Sequence, residues 1–305
     1  LEKIGHHFQL ILMDACNMGS LETTGEIYLW TDYFIASQKE VPVQGFPWND
    51  VLNEWNSYPT EEDFFKQIPQ IYTDSYFYGG SQNLTGNLYF EVSAFTIKTS
   101  EFSALMEQLS EFSNDHALES AQDLYVNARA QCFEFNGILG DVDIKQCFDL
   151  IYEKQANKEN NPLLNQIDST VIAVSAINMS VYGYPTIWYP RYADLFESVY
   201  SLKYHQLDFS EVGFGRFINY SFGPDDRKPQ SVENIKSEHI LNTLYISWSK
   251  PIDPCPIRYK INVYYLNSLL FSEELQKESF SYTFDSDIQT ATITIQSLDE
   301  ADNIS

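Results

Sequence analysis

The 305-residue sequence has few cysteines, few basic residues and no long apolar run, and each shortage removes a class of protein. Four cysteines in this length do not make a disulfide scaffold, and Cys132 and Cys147 could either pair or both remain free thiols. No apolar run approaches the roughly 18 residues of a membrane-spanning helix. We therefore expect neither a disulfide-rich module nor a membrane span in this chain.

Basic side chains are outnumbered: 18 Lys and Arg stand against 43 Asp and Glu, a formal net charge of -25. Such a field repels nucleic acid and anionic membrane surfaces, so we expect no nucleic-acid partner. It would attract basic substrates, although the solubility of an extracytoplasmic protein explains the acidity equally well.

Size and composition indicate a folded chain of two domains. The 305 residues exceed the usual size of one compact domain, and the 44% hydrophobic and 15% aromatic content is ample for a core. No signal peptide is present, but Leu1 is a poor natural start, so a leader could lie upstream. We expect a secreted, periplasmic or cell-surface protein.

The first 40 residues predict one unit of a parallel α/β sheet. Residues 8–13 form an apolar run typical of a strand buried on both faces. Residues 21–30 predict a helix with Ser20 as its N-cap, and 33–37 predict a second strand.

Helices and strands alternate through the next 160 residues. The pattern predicts helices over 48–56, 60–78 (with a kink at Pro69), 101–112, 144–155 and 192–203, and strands over 88–98, 169–176 and 185–189. An α/β domain with a mostly parallel sheet and flanking helices is therefore expected over 1–222.

The composition changes at a Gly- and Pro-containing linker, 223–230, and beyond it the pattern is all-β. Within 231–305, polar and apolar side chains alternate over 244–248, 259–265, 281–284 and 291–295, which predicts a small sandwich of the fibronectin type III or immunoglobulin sort. Trp248 is expected in its core.

Cys16 lies just after the predicted strand 8–13, at a position where an α/β sheet can hold a catalytic group. Open α/β sheets leave a crevice at the carboxyl ends of their strands, and a helix N-terminus favours a thiolate. The backbone N–H of Cys16 could also donate to a developing oxyanion. From the pattern alone, however, most cysteines in such a place are small buried apolar residues.

Four segments resemble one family. The stretch 10–22, centred on Asp14-Ala15-Cys16, resembles the nucleophile motif of the clostripain-like cysteine peptidases, relatives of caspases, gingipains and legumains. Segments 33–38, 41–48 and 182–190 resemble later parts of the same family in the same order. The resemblance covers 1–222 and leaves the tail outside.

The resemblance implies a caspase-like sheet and an endopeptidase in which the Cys16 thiolate attacks the scissile carbonyl and a histidine protonates the leaving amine. Asp14 falls where the family places an acid at the base of the S1 pocket, so cleavage after Arg, with Lys as second candidate, is expected. A turn or capping carboxylate is the alternative role for Asp14. Gln44 stands where many relatives are expected to carry a second acid, and its amide could still bind the substrate.

The histidine that the family places upstream of its cysteine is missing. His6 and His7 precede the strand that ends near Cys16, which puts them near the opposite end of the sheet. The remaining histidines, His116, His205 and His239, have no motif around them and are expected on the surface.

We therefore expect a partner, an N-terminal light chain that carries the histidine and adds strands to the sheet. No cofactor is certain and no metal ligand is assigned, although calcium is possible because some relatives depend on it. Two alternatives stay open: a catalytically inactive relative that acts as a binding protein, and a carbohydrate or adhesion module centred on the tail.

Overall fold

A computed structural model describes residues 5–86, 89–116, 122–135, 140–153, 161–179, 182–223, 228–255, 257–284 and 290–305. The chain forms two compact units, the first from residues 1–196 and 206–222 and the second from 197–205 and 223–305. Residues 224–227 of the expected linker lie outside the described residues, so its bounds stay a prediction.

The first unit is built on a four-stranded sheet in the order β1-β2-β3-β5. Its strands are β1 (Phe8–Met13), β2 (Thr31–Ala36), β3 (Val92–Lys98) and β5 (Val171–Ile177). A smaller antiparallel pair joins β4 (Asp141–Asp143) to β6 (Thr186–Trp188).

The α/β class is confirmed, and the sheet is mixed. Strands β1 and β2 pair in parallel, whereas β3 pairs antiparallel with both β2 and β5. Strands β1, β2 and β5 thus share one direction and β3 opposes them. The expectation of a mostly parallel sheet holds for strand direction but not for pairing, because the segment between β2 and β3 returns the chain to the end of the sheet where β2 stopped.

Nine helices are assigned within the described residues, and their bounds are α1 Leu21–Gly25, α2 Trp48–Glu54, α3 Glu61–Tyr76, α4 Phe102–His116, α5 Gln122–Gln131, α6 Ile144–Tyr152, α7 Pro162–Thr170, α8 Ala193–Leu202 and α9 Phe214–Ser221. The predicted helix 21–30 is shorter than expected: α1 ends at Gly25 and a separate 3₁₀ turn covers Tyr28–Trp30. Gly25 packs closely on Phe209, since an added Cβ would lie 3.1 Å from the Phe209 Cβ.

Helix α3 packs its aromatic face on the sheet. The cluster contains buried side chains from α3, from the strands and from the loop before α2: Ile35, Phe46, Phe64, Phe65, Ile68, Tyr72, Tyr76, Val92 and Ala94. Pro69 lies inside α3 and cannot donate to the Phe65 carbonyl, but the Thr96 hydroxyl of β3 donates to that oxygen at 2.8 Å. A strand side chain thus replaces the missing helical hydrogen bond.

Strand β1 is less buried than predicted. Its residues are half-buried or exposed, whereas Phe34, Ile35 and Ala36 of β2 are fully buried. The reason is its position: β1 stands at the edge of the sheet and pairs only with β2 among the described strands.

The second unit contains two three-stranded antiparallel sheets, β11-β8-β7 and β10-β9-β12. The strands are β7 Glu233–Ile240, β8 Thr243–Ser249, β9 Arg258–Tyr265, β10 Ser268–Leu275, β11 Ser279–Thr283 and β12 Thr292–Leu298. Trp248 is buried in the core between them, as predicted, and its ring contacts that of Tyr259.

The aromatic row that the adhesion alternative requires does not form on the described part of the tail. The exposed aromatic side chains there are Tyr245 on β8 and Tyr265 on β9, which belong to different sheets.

Candidate active site

The turn that follows β1 is fixed by backbone hydrogen bonds to the chain that follows β2. The N–H of Asn17 donates to Lys39 O at 3.1 Å, and that of Gly19 donates to Ser37 O at 2.8 Å. A Cβ at Gly19 would lie 2.6 Å from the backbone nitrogen of Gln38, so only glycine fits there. The residues that follow β2, as well as strand β1, therefore determine the positions around the thiol.

Cys16 presents an exposed thiol on this turn. Its Sγ lies 3.8 Å from Val41 O, to which it donates. The other three cysteines, Cys132, Cys147 and Cys255, are buried. A hydrogen bond with Cys132, and then burial, raise the pKa of Cys147 well above its ordinary value. Cys16 is thus the accessible thiol of the chain, and the pairing of Cys132 with Cys147 does not occur in this structure.

The expected help from a helix N-terminus is smaller than predicted. Helix α1 has five residues and begins after its N-cap, Ser20, whose Oγ accepts from Thr23 N at 3.1 Å. Cys16 lies four residues before that cap, and the field of a helix end falls off within about one turn.

Asp14 lies two residues before the thiol and is held by the loop 41–48. Its Oδ1 accepts from Phe46 N at 3.1 Å and its Oδ2 from the indole Nε1 of Trp48 at 3.1 Å. Gly45, at φ +73°, packs against the same carboxylate, and a Cβ there would lie 2.7 Å from Oδ2. The side chain remains exposed, so its other lone pairs face solvent.

The loop 41–48 is itself supported from α3. The Tyr76 hydroxyl donates to Gly45 O at 2.7 Å, and burial, followed by the charge of Asp14, raises the pKa of Tyr76 to about 12. Tyr76 therefore stays protonated and remains a donor across the physiological range. Gln44, the other predicted substrate contact, lies on this loop with its side chain exposed.

Gln38 joins the nucleophile turn to the segment before β6, a role that sequence reasoning missed. Its buried amide nitrogen donates to the carbonyls of Gly183 and Tyr184, and its oxygen accepts from Ser93 Oγ at 2.7 Å. Asp143 accepts from Tyr184 N at 3.1 Å, and burial raises its pKa to about 6. A glutamine directly after a buried strand, inside a family-like segment, was the available signal.

Glu22 forms the second missed connection. Its carboxylate is 8% exposed and accepts from Trp188 N at 2.9 Å, while the N–H of Thr186 donates to Gly19 O at 2.8 Å. Burial raises the pKa of Glu22 to about 7. These bonds hold α1 and the nucleophile turn against β6.

The histidines are spread through the chain. His6 and His7 are exposed and lie before β1, at the end opposite Cys16, as predicted. His239 is exposed, as expected. His116 and His205 are less exposed than expected: each is half-buried because its ring Nδ1 donates to a backbone carbonyl and its ring packs on an aromatic neighbour.

Metal-binding clusters and membrane-spanning helices are both absent from the described residues. Within the described ranges no group of three or more His, Cys, Asp or Glu side chains is arranged to hold a metal, so calcium stays an untested possibility. None of the described helices has the length and apolarity needed to cross a membrane.

Similar folds occur among solved bacterial proteases. A clostripain from Bacteroides thetaiotaomicron, solved with the peptide inhibitor BTN-VLTK-AOMK, is 15% identical at a TM-score of 0.49, with coverage of 65% of this chain and 86% of that one. An inactive zymogen C11 protease from Parabacteroides distasonis is 17% identical at a TM-score of 0.50, with 68% and 59% coverage. A secreted C11 cysteine protease from B. thetaiotaomicron is 15% identical at 0.45, with 61% and 48% coverage.

A comparison with curated protein sequences gives no match. The model of the clostripain family, Peptidase_C11, matches residues 1–254, which extends past the boundary at 222 where the resemblance in sequence ended. Since that match covers more than half of the chain and the fold agrees with it, this chain belongs to the clostripain family of cysteine peptidases.

Proposed function

We propose that this chain supplies the nucleophile and the P1-recognising acid of a cysteine endopeptidase that cleaves after Arg, with Lys as second candidate. The observation that carries the proposal is the pairing of an exposed thiol, Cys16, with an exposed carboxylate, Asp14, on one turn held by one loop. A cationic P1 side chain bound at Asp14 would place its own carbonyl within reach of a thiol two residues away.

The chemistry follows from those two groups and one base. The Cys16 thiolate adds to the scissile carbonyl carbon, and the tetrahedral intermediate collapses as the C–N bond breaks. The protonated histidine gives its proton to the leaving amine, which yields a thioester and a neutral imidazole. Water then loses a proton to that imidazole and attacks the thioester, which releases the carboxylic acid and regenerates the thiolate–imidazolium pair.

The proposed source of the histidine is an upstream segment or light chain. The support is the edge strand β1, whose outer side pairs with no described strand and whose apolar residues are only half-buried. A strand added there in parallel would end beside the turn that bears Cys16, which suits a histidine at its carboxyl end. Strand addition would also bury the apolar residues of β1.

Export from the cytoplasm remains part of the proposal. The net charge of -25 suits a soluble extracytoplasmic enzyme and would draw basic substrates towards it. Fractionation of the source cells, with the protein followed by antibody, tests this location.

The decisive experiment treats the natural gene product, with any upstream segment, with an irreversible thiol-reactive peptide that has Arg at P1. We expect one label, mapped by mass spectrometry to Cys16, and loss of both label and peptide hydrolysis in Cys16→Ala. Cys255→Ala is the matched control, because Cys255 is 2% exposed and should not react. Hydrolysis that persists in Cys16→Ala would show that the nucleophile is another residue, and a folded wild type that neither hydrolyses nor labels would favour the inactive relative.

A further inference from the structure

Trp48 is an aromatic residue held at the candidate acid while much of its ring faces solvent. It opens α2, its Nε1 donates to Asp14 Oδ2 at 3.1 Å, and 45% of its surface is exposed. The ring of Phe46 lies 6.3 Å away at a tilt of 38°, so Trp48 also has an aromatic neighbour. A fixed indole with this much exposure leaves ring surface available to a ligand.

The hydrogen bond determines where a ligand would lie. An indole N–H points along the ring plane, so Asp14 Oδ2 sits near that plane and the ring faces flank the space next to the carboxylate. A charged donor that binds the same carboxylate at about 2.8 Å, above or below the plane, falls within the roughly 6 Å reach of a cation–π contact.

Arginine can gain more from the two groups together than lysine can. A guanidinium has several N–H donors and a flat face, so it can donate to Asp14 from one edge while its face lies against the indole, whereas an ammonium is a compact point charge that does not stack. We propose that Trp48 is a specificity-determining residue that selects Arg over Lys at P1. This inference rests on the proposed function, in which Asp14 receives the P1 side chain.

Two substitutions separate the ring from the hydrogen bond. Trp48→Gln keeps an amide N–H able to donate to Asp14 and removes the ring, while Trp48→Phe keeps a ring and removes the donor. Trp55→Gln is the matched control, because Trp55 is 46% exposed and packs on Phe64, with ring centroids 5.1 Å apart.

The assay compares kcat/KM for peptides that differ only in Arg or Lys at P1, with the natural gene product and its upstream segment. We expect the wild type to prefer Arg, and Trp48→Gln to lose about 5- to 30-fold on Arg and about 2-fold on Lys, the range of a cation–π contact. Trp48→Phe should keep the preference for Arg, and Trp55→Gln should leave the Arg/Lys ratio within about 2-fold.

The outcomes distinguish a failure of this inference from a failure of the proposed function on which it rests. If the wild type cleaves after basic residues but Trp48→Gln loses equally on Arg and Lys, Trp48 only supports Asp14 and the inference is overturned while the function stands. A wild type that prefers Lys overturns it too. A wild type that cleaves after neither basic residue overturns the proposed function and, with it, the selectivity. If Trp48→Gln does not fold, a loss of the Arg/Lys preference in Trp48→Phe would equally contradict the role of the ring.

Discussion

The role of Asp14 is open to a sharp test by Asp14→Asn, which removes one charge and almost no volume. A hydrogen bond to a charged partner contributes roughly 1.5–3 kcal/mol. At 1.4 kcal/mol per factor of ten, kcat/KM for a P1 Arg substrate should fall about 10- to 150-fold. A citrulline substrate has the shape of arginine without its charge, and we expect its kcat/KM to change by no more than about 3-fold, since it gains little from the carboxylate.

The structure also predicts the size of the side effect on folding. The Asp14 carboxylate accepts two donors, Phe46 N and Trp48 Nε1, and the amide that replaces it in Asp14→Asn could accept only one of them through its single oxygen. Because the site is exposed, water can satisfy the other donor, so the loss of stability should be about 1 kcal/mol or less. Urea unfolding of the variant and the wild type measures this loss.

Steady-state kinetics on Arg and citrulline peptides decide the outcome, with Asp50→Asn as the control. Asp50 carries the same charge on α2 but bonds to Ser81 instead of the candidate site. An equal loss on both substrates in Asp14→Asn, or an equal loss in Asp50→Asn, would mean that Asp14 is a structural or long-range charge and that the P1 assignment is wrong.

Two further changes test the surroundings of this site. Gly45→Ala should push Asp14 aside, because the new Cβ would lie 2.7 Å from Oδ2, and the ratio of kcat/KM for Arg over citrulline should fall. Gly79→Ala is the control, because Gly79 also has a positive φ (+80°, against +73° at Gly45) but nothing lies within 4 Å of its added Cβ. A fall in the ratio in Gly79→Ala as well would assign the effect to backbone strain. Glu22→Gln should stabilise the protein at alkaline pH. The folded state holds the Glu22 proton up to about pH 7, whereas the unfolded state releases it near pH 4.5. The free energy of unfolding of the wild type therefore falls by about 3 kcal/mol in total as pH rises between those values. The variant has no carboxyl at this position and avoids that fall. Urea unfolding at pH 4 and pH 8 checks this, and an equal difference between the two proteins at both values would show that Glu22 ionises normally.

Elements with strong periodicity were predictable from the sequence, and polar ones were not. Strand β1, strand β2 and helix α3 follow from apolar runs and a Thr60 cap, which accepts from Asp63 N at 3.1 Å. Strand β7 was missed because all eight of its residues are exposed, so no alternation marks it.

Helix α7 was missed for a different reason. Its start carries a regular signal, an Asn161 cap followed by Pro162 at the first helical position. The sequence predicts a strand from residue 169, so the last two residues of α7 were assigned to the strand β5, which starts at Val171 in the structure. Boundaries between adjacent elements depend on contacts that a local pattern does not contain.

In the candidate site, too, the sequence indicated the residues but not the contacts between distant parts of the chain. Resemblance singled out Asp14, and it assigned chemistry to Cys16, whose place after the first strand had already drawn attention to it. Their partners lie 25 to 34 residues away in sequence, at Val41, Phe46 and Trp48, and no local rule pairs a carboxylate with an indole at that separation. Such pairs form only when the loop after β2 folds back over the turn after β1.

The segment 37–48 therefore determines both parts of the candidate site, the turn that bears Cys16 and the carboxylate of Asp14. Residues 37 and 39 bind the backbone of the nucleophile turn, and residues 46 and 48 bind the Asp14 carboxylate, all within this chain. Asp14 and the thiol are thus positioned by contacts within this chain, with the loop 41–48 in turn supported by Tyr76 of α3. The thiol itself donates to Val41 O. In the proposed mechanism, an upstream histidine would add the base that removes the thiol proton. On the proposed mechanism a light chain would control the chemical step, while recognition of the P1 side chain would belong to the present chain.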